Sequence, residues 1–292
     1  MKDKRRSVRL AVVVVLALLA GCGGGTSGPP LEEAGDVARL QPGDRPVRFR
    51  LDTVVSERTQ QFLVETLSWA HADLGDSGPL TVHVYSDEEH FVTAYTADFG
   101  ISATEARQQL AQGQTAFATT GGHIWIYLTN FDRAPEATRR LAVFHEYVHT
   151  LQDWQAQLRF QSKATEERSF VPRWMVEGCA EYLAIRAGAT RGLVDQARQR
   201  DRVVLRAKEA QETLQAFETA GQARFRGGAG EAYTVGWLAC ERLASVSGHD
   251  AVAHGFWQSL AKVRDWKSAF AEVFGQTPET FYPAFEAFRA TL

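Results

Sequence analysis

The sequence has no apolar run long enough to cross a membrane and no excess of positive charge. Its longest uninterrupted apolar run, Leu10 to Ala20, has 11 residues, whereas a membrane-spanning helix needs about 20. The chain has 32 basic and 35 acidic residues, a net charge of −3, which offers no basic footprint for nucleic acid. With 45% hydrophobic and 23% charged residues among 292, it is an ordinary globular chain with material for a sizeable core.

The N-terminus has the features of an export signal. Five basic residues lie within Met1–Arg9, before the apolar run, and a run of this length suits a signal peptide. The following Leu-Ala-Gly-Cys22 resembles the bacterial lipobox, which implies a signal peptide over 1–21 and an acylated Cys22 at the start of the mature chain. A soluble exported protein that is cleaved nearby is the alternative. The resemblance implies a lipid anchor in the cell envelope, on the extracytoplasmic side of a membrane.

The mature chain divides into a tether and one folded unit. Residues 22–46 are rich in glycine and proline, which predicts a flexible tether. The folded unit is expected over 47–292, with a mixed α/β part over 47–157 and a mostly helical part over 158–292. Without residues 1–21, the chain has 27 basic and 34 acidic residues, a net charge of −7.

The coarse pattern of the folded unit is a small sheet followed by helices. Alternating apolar and polar residues predict a strand over 47–54, and two strands over 115–119 and 123–128 are expected to form a hairpin. Amphipathic stretches predict helices over 136–157, 172–187, 195–220, 231–247, 250–262 and 278–290.

His145, Glu146 and His149 form a His-Glu-x-x-His pattern within the first of these helices. Residues four apart share a helix face, so both imidazoles can bind one metal ion while Glu146 leans over the same site. At this composition the pattern arises by chance about once or twice in 100 such chains. A helix with two surface histidines is therefore the alternative, and the surrounding sequence must decide.

A second motif supplies a third ligand, which a catalytic zinc commonly takes besides an open position for water. Pro172 suits a helix start, and Glu177 and Glu181 are four apart on one face of the helix that follows. One carboxylate can bind the metal, and the other can hold the far nitrogen of a metal-bound imidazole. Gly178 leaves room for two helices to approach closely.

The paired motifs resemble those of the gluzincin metallopeptidases. The closest likeness is to the peptidase MA-like group, in which His-Glu-x-x-His is followed by Pro-x-Trp-x-x-Glu-Gly-x-Ala-Glu-Tyr, and it covers roughly residues 123–182. It implies an α+β, zincin-like fold of the thermolysin type, with one Zn²⁺ per chain bound by His145, His149 and Glu177. It also implies that Glu181 braces an imidazole and that the substrate is a peptide or protein.

In that mechanism Glu146 is the general base, which takes a proton from an activated water and later passes it to the leaving amine. The oxyanion needs a further donor. The resemblance favours Tyr233 at the start of a predicted helix, with a core tyrosine as the alternative and with His249 and His254 as rivals. The strand over 123–128 is expected at the sheet edge, where an extended peptide can add by main-chain hydrogen bonds.

Two cysteines and one further histidine have structural interpretations. Cys179 replaces the bulky apolar residue that usually follows the glycine of the motif, and two positions after Glu177 it points off the ligand face, which favours packing over zinc binding. Cys179 and Cys240 both lie in apolar helical contexts, so they are either buried hydrophobes or a bridge. His123 is assigned a surface role because the ligand set is complete without it.

Two other functions are compatible with a lipoprotein. A zincin fold that serves as a non-catalytic binding or scaffold module is one, and Glu146 argues against it because a structural site needs no general base. A solute-binding lipoprotein of a transporter is the other, but its α/β pattern would continue through the second half, which is helical here. Between trimming of termini and internal cleavage, both modes stay open.

Overall fold

A computed structural model of the chain describes residues 37–40, 45–52, 55–99, 102–111, 113, 115–119, 121–158, 171–218 and 230–292. The predicted signal peptide, Cys22 and most of the predicted tether lie outside these residues. Within the described part of the chain, no helix combines the length and the apolar character that crossing a membrane requires.

The described strands form one mixed sheet in the spatial order β1-β2-β3-β5-β4. The central strands β2, β3 and β5 run parallel, and β1 and β4 flank them antiparallel. The strands are β1 (Val37–Leu40), β2 (Arg45–Leu51), β3 (Leu80–Tyr85), β4 (Ala116–Thr119) and β5 (His123–Tyr127).

Helices make up most of the remaining described structure. Three helices precede β4 along the chain: α1 (Glu57–Leu74), α2 (Glu88–Phe99) and α3 (Ala103–Ala111). After β5 follow α4 (Leu128–Phe131), α5 (Glu136–Gln155), α6 (Arg173–Thr190), α7 (Gln196–Glu209), α8 (Gly230–Ser247), α9 (Phe256–Val263), α10 (Trp266–Phe274) and α11 (Pro278–Thr291). A 3-10 turn over Leu214–Phe217 follows α7, and a π turn over Ala251–Gly255 precedes α9.

Two predictions about the sheet are wrong. The predicted hairpin is present as β4 and β5, but β5 pairs with β3 on one side and with β4 on the other, so β4 is the edge strand. The crossover from β3 through α2 and α3 delivers β4 outside β5, which local alternation does not reveal. The predicted tether over 22–46 also ends too late, because β1 and the start of β2 lie inside it and pair with each other.

The sheet buries both faces, and alternate residues of β5 belong to different cores. Ile124 and Ile126 join the main core with α1 and α5. Trp125 and Tyr127 join a smaller aromatic core with α2 and α3. His123 was assigned a surface role, but its Nδ1 lies 2.8 Å from Nε2 of the fully buried His83. That assignment is wrong because β5 is internal, so the histidine lies against β3.

Candidate metal centre

The His-Glu-x-x-His pattern lies in the middle of α5, between the sheet and the C-terminal helices. Glu136 in the first turn favours the helix start through the helix dipole. Every residue from 143 to 153 is buried, because α5 contacts β4 and β5 on one side and α6 on the other. A helix enclosed in this way holds its polar side chains in a fixed, largely dry environment.

The three predicted metal ligands converge on one point. Nε2 of His145 lies 3.1 Å from Nε2 of His149. Oε2 of Glu177 lies 3.4 Å from the first of these nitrogens and 3.3 Å from the second. The three donor atoms all lie within 4.8 Å of one another, and the described residues form no other such group of three His, Cys, Asp or Glu. One ion could therefore contact all three.

Both imidazoles are braced at their far nitrogens. Oε2 of Glu181 lies 3.1 Å from Nδ1 of His145, which is the geometry expected of the bracing carboxylate. Oε1 of Gln152 lies 3.0 Å from Nδ1 of His149, and its Nε2 donates to the carbonyl of Val176 at 3.0 Å. Gln152 thus links α5 to the residue before Glu177. The sequence interpretation missed it, although its position three residues after His149 was a readable signal.

The electrostatics of the site favour a positive charge between the ligands. Burial lowers the pKa of His145, but its hydrogen bonds to Glu177 and Glu181 outweigh burial and raise the pKa to about 10. Burial raises the pKa of Glu177, but the charge of His149 and the hydrogen bonds to both imidazoles hold it well below its usual range. A cation placed among these groups would meet the same attraction.

Glu146 lies beside this triad and against the edge strand. Its side chain is buried, and its Oε1 has no hydrogen-bond partner among the described residues. The backbone N–H of Ala118 in β4 donates to the carboxylate. Burial raises the pKa of Glu146, although the two imidazoles oppose that effect. A carboxylate with one free oxygen and a raised pKa is suited to accept a proton.

Among the candidates for an oxyanion donor, Tyr233 contacts the triad. Its ring stacks on His145 with centroids 5.8 Å apart and an interplanar angle of 23°. Burial, and then the charge of Glu177, raise its pKa well above 10, so the phenol keeps its proton. The rivals have partners elsewhere: His249 lies 2.6 Å from the hydroxyl of Tyr182, and His254 lies 2.6 Å from Nε2 of Gln155.

The crossing of α6 and α8 sets the distance between Glu177 and Tyr233. A Cβ on Gly178 would lie 2.2 Å from the carbonyl carbon of Gly236, which confirms that the glycine permits a close helix approach. One residue further on, Cys179 is bonded to Cys240. Of the two alternatives for these cysteines, the bridge is therefore present, and it joins the same two helices.

No known family model and no curated protein matches the sequence, but the fold is similar to that of solved M1 zinc metallopeptidases. A point mutant of the enzyme from Deinococcus radiodurans bound to a Tyr-Ser-Ala substrate is 16% identical with a TM-score of 0.51, over 86% of this chain and 51% of that one. The enzyme from the same organism without the mutation is 17% identical, TM-score 0.49, over 85% and 50%. A two-domain M1 enzyme bound to L-arginine is 16% identical, TM-score 0.49, over 86% and 50%.

At such identities the likeness concerns the fold alone. This chain has a small mixed sheet and a mostly helical remainder, and its fold is similar to that of the metallopeptidase with the highest of these TM-scores. The chain spans about half the length of the enzymes that it matches.

Proposed function

We propose that this chain is a zinc-dependent peptidase that is anchored to a membrane by lipid on Cys22. The observation that carries the proposal is the convergence of His145, His149 and Glu177 next to the buried carboxylate of Glu146. Two imidazole nitrogens and one carboxylate oxygen are a donor set of catalytic zinc sites. The fold shared with M1 zinc metallopeptidases is consistent with that donor set.

The residues present fit zinc in three respects. The donor atoms meet at one point, both imidazoles have an acceptor at the far nitrogen, and the surrounding charges favour a cation. Oxygen-rich sites suit magnesium or calcium, whereas nitrogen ligands favour zinc. When bound, zinc would supply Lewis-acid activation of water and of the scissile carbonyl.

The chain's own residues would transfer the protons, donate a hydrogen bond to the oxyanion and orient the imidazoles. Glu146 takes a proton on Oε1, the oxygen without a partner among the described residues, and returns it to the departing amine. Tyr233 keeps its hydroxyl proton and donates it in a hydrogen bond to the developing oxyanion. Glu181 and Gln152 hold the imidazoles in one orientation throughout. The buried residues 143–153 of α5 exclude water from the α5 side of the site.

The edge strand β4 is the surface on which an extended peptide would lie. It has no neighbour on its outer side in the described sheet, and its Ala118 N–H already faces the carboxylate of Glu146. A peptide that pairs with β4 would bring a backbone carbonyl next to the general base. This assignment replaces the strand over 123–128, which is internal.

The lipid anchor and the extracytoplasmic location form part of the same proposal. The lipobox-like Leu-Ala-Gly-Cys22 supports acylation. The Cys179–Cys240 bridge supports an oxidising compartment, because disulfides persist mainly outside the cytoplasm. A non-catalytic scaffold is disfavoured, because burial of the Glu146 carboxylate with one oxygen unpartnered among the described residues costs stability, and a scaffold gains nothing from that carboxylate.

The test compares the wild type with Glu146→Gln, a variant that keeps the volume and removes the base. Both are purified without residues 1–22, their zinc is measured by elemental analysis, and hydrolysis of a quenched peptide library is followed. Stoichiometric zinc in both proteins, with hydrolysis by the wild type only, is the expected result. Zinc without hydrolysis would favour the scaffold function, and no zinc after metal-replete purification would overturn the ligand set.

Anchoring is tested separately in the full-length chain. Metabolic labelling with a fatty acid is expected to mark the wild type and not Cys22→Ser, which should also leave the membrane fraction. Equal labelling of the two proteins would contradict the anchor without affecting the peptidase proposal.

A further inference from the structure

Arg173 occupies a position that local helix energetics disfavour. It is the first residue of α6, where the helix dipole repels a cation. Arginine four residues before a glutamate is also the weaker orientation of such a pair. The side chain is nevertheless only 12% exposed, and a buried charge needs a compensating partner. The contacts of Arg173 must therefore offset these costs.

Two of its contacts are with the candidate metal centre. Nη2 of Arg173 lies 3.6 Å from Oε1 of Glu177, while Oε2 of the same carboxylate faces the two histidines. One oxygen thus faces the guanidinium and the other faces the two imidazoles, and the side chain of Tyr233 also hydrogen-bonds to this carboxylate. The guanidinium carbon also lies 5.8 Å from the ring centroid of Tyr233, so one cation contacts both a metal ligand and the candidate oxyanion donor.

It matters for a catalytic site that only one oxygen of Glu177 faces the other ligands. If both oxygens of Glu177 turned to the metal, they would occupy the position that a catalytic zinc leaves open for water. A positive charge beside the ligands also weakens cation binding through Coulomb repulsion. Arg173 would therefore lower metal affinity while keeping the site open.

We propose that Arg173 is a positioning residue that holds Oε1 of Glu177 away from the metal and keeps the Tyr233 ring against His145. The inference rests on the proposed zinc site and adds a role that the paired motifs do not specify. It predicts a separation of two properties: removal of Arg173 impairs turnover without loss of metal, whereas a merely structural residue would lose both together.

The test uses the full-length protein in detergent and compares Arg173→Met, Arg173→Lys and the control Arg191→Met. Arg191 lies just beyond the other end of α6 and pairs with Asp73 at 2.7 Å, so its loss removes a similar ion pair far from the ligands. Zinc affinity is measured by competition with a chelator. Cobalt(II) is then substituted for zinc, because its visible absorption weakens when the ion gains a further ligand, and kcat and KM are measured on a quenched peptide.

For Arg173→Met we expect zinc affinity equal to or higher than that of the wild type, weaker cobalt absorption, and kcat at least about tenfold lower. Arg173→Lys should lie between the two, because lysine keeps the charge but lacks the planar fork. Arg191→Met should match the wild type. If Arg173→Met does not fold, the lysine variant decides by the same three measurements.

Wild-type kcat and an unchanged cobalt spectrum in the Arg173 variants would overturn the inference, and so would loss of zinc from a folded variant. Failure of the wild type itself to bind zinc or to cleave peptides would instead refute the proposed function, so the two failures are distinguishable.

Discussion

The backbones of Gly178 and Gly236 lie in direct contact. A Cβ on the first would lie 2.2 Å from the carbonyl carbon of the second, and a Cβ on the second would lie 2.5 Å from the carbonyl oxygen of Trp174. Real Cβ atoms do not approach backbone so closely, so neither position accepts a side chain without moving a helix. Since Glu177 and Tyr233 lie on these two helices, the contact also sets the geometry of the candidate site.

Gly236→Ala is therefore expected to destabilise the protein and loosen the site together. The added methyl meets backbone that cannot rotate away, so we expect a loss of about 3 kcal/mol in the free energy of unfolding, the upper end for overpacking. Gly230→Ala is the matched control on the same helix, because a Cβ there meets nothing within 4 Å. Urea unfolding measures both, and equal stability of the two variants would show that the crossing tolerates a wider spacing.

Gln152 is expected to tune metal affinity through His149. Gln152→Ala removes the acceptor at Nδ1 of that imidazole and the link to Val176, and outer residues of this kind typically change metal affinity about 10- to 100-fold. Gln152→Glu keeps the acceptor and should retain most of the affinity. Chelator competition measures both. An alanine variant with wild-type affinity would mean that the ring is held by packing alone.

The Cys179–Cys240 bridge is expected to stabilise the fold through the unfolded state. It closes a loop with a sequence separation of 61, for which the chain-entropy relation gives about 4 kcal/mol. The double variant Cys179→Ala with Cys240→Ala should unfold at lower urea concentration. Reductant should shift the wild type in the same direction and leave the double variant unchanged; a shift in both would point to another reducible element.

The sequence predicted the site better than the fold around it. The candidate ligands belong to two short motifs: spacing places His145 and His149 on one face of α5, and Glu177 follows in the second motif on α6. The structure brings the three donor atoms together. The C-terminal end of α7 was predicted wrongly, because it depends on residues that are distant in sequence. A helix was predicted over 195–220, but α7 ends at Glu209, because the carboxylates of Glu231 and Glu286 bind backbone N–H groups 19 to 72 residues away in sequence.

Helix α10 was missed although its boundaries were readable. The side chain of Asp265 caps the N–H of Ser268, and Gly275 ends the helix in the left-handed conformation, both common helix signals. Local sequence signals of this kind could not predict that β4, and not β5, is the edge strand. It depends on how β5 pairs with β3, whose paired residues lie 42 positions earlier along the chain, and no local pattern carries that information.

The neighbouring histidines His83 and His123 are expected to make the fold acid-sensitive. Burial, and then the charges of His123 and Arg50, hold the pKa of His83 well below 6.5. Burial, and then Arg50, lower that of His123 to about 4. In the unfolded chain both would bind a proton near pH 6.5. Between pH 6.5 and 4 the unfolded state therefore binds more protons, so the contribution is fully present above about pH 6.5 and is lost as pH falls toward 4.

His123→Gln should flatten this dependence, because glutamine has no proton to gain in the unfolded state. The shift from 6.5 to about 4 corresponds to at most about 3.5 kcal/mol. Urea unfolding of the metal-free wild type and variant, from pH 7 to 4.5, measures the difference between their free energies of unfolding. The carboxylates titrate alike in both proteins and cancel in that difference, so a difference that stays constant with pH would mean that the pKa of His123 does not change on folding.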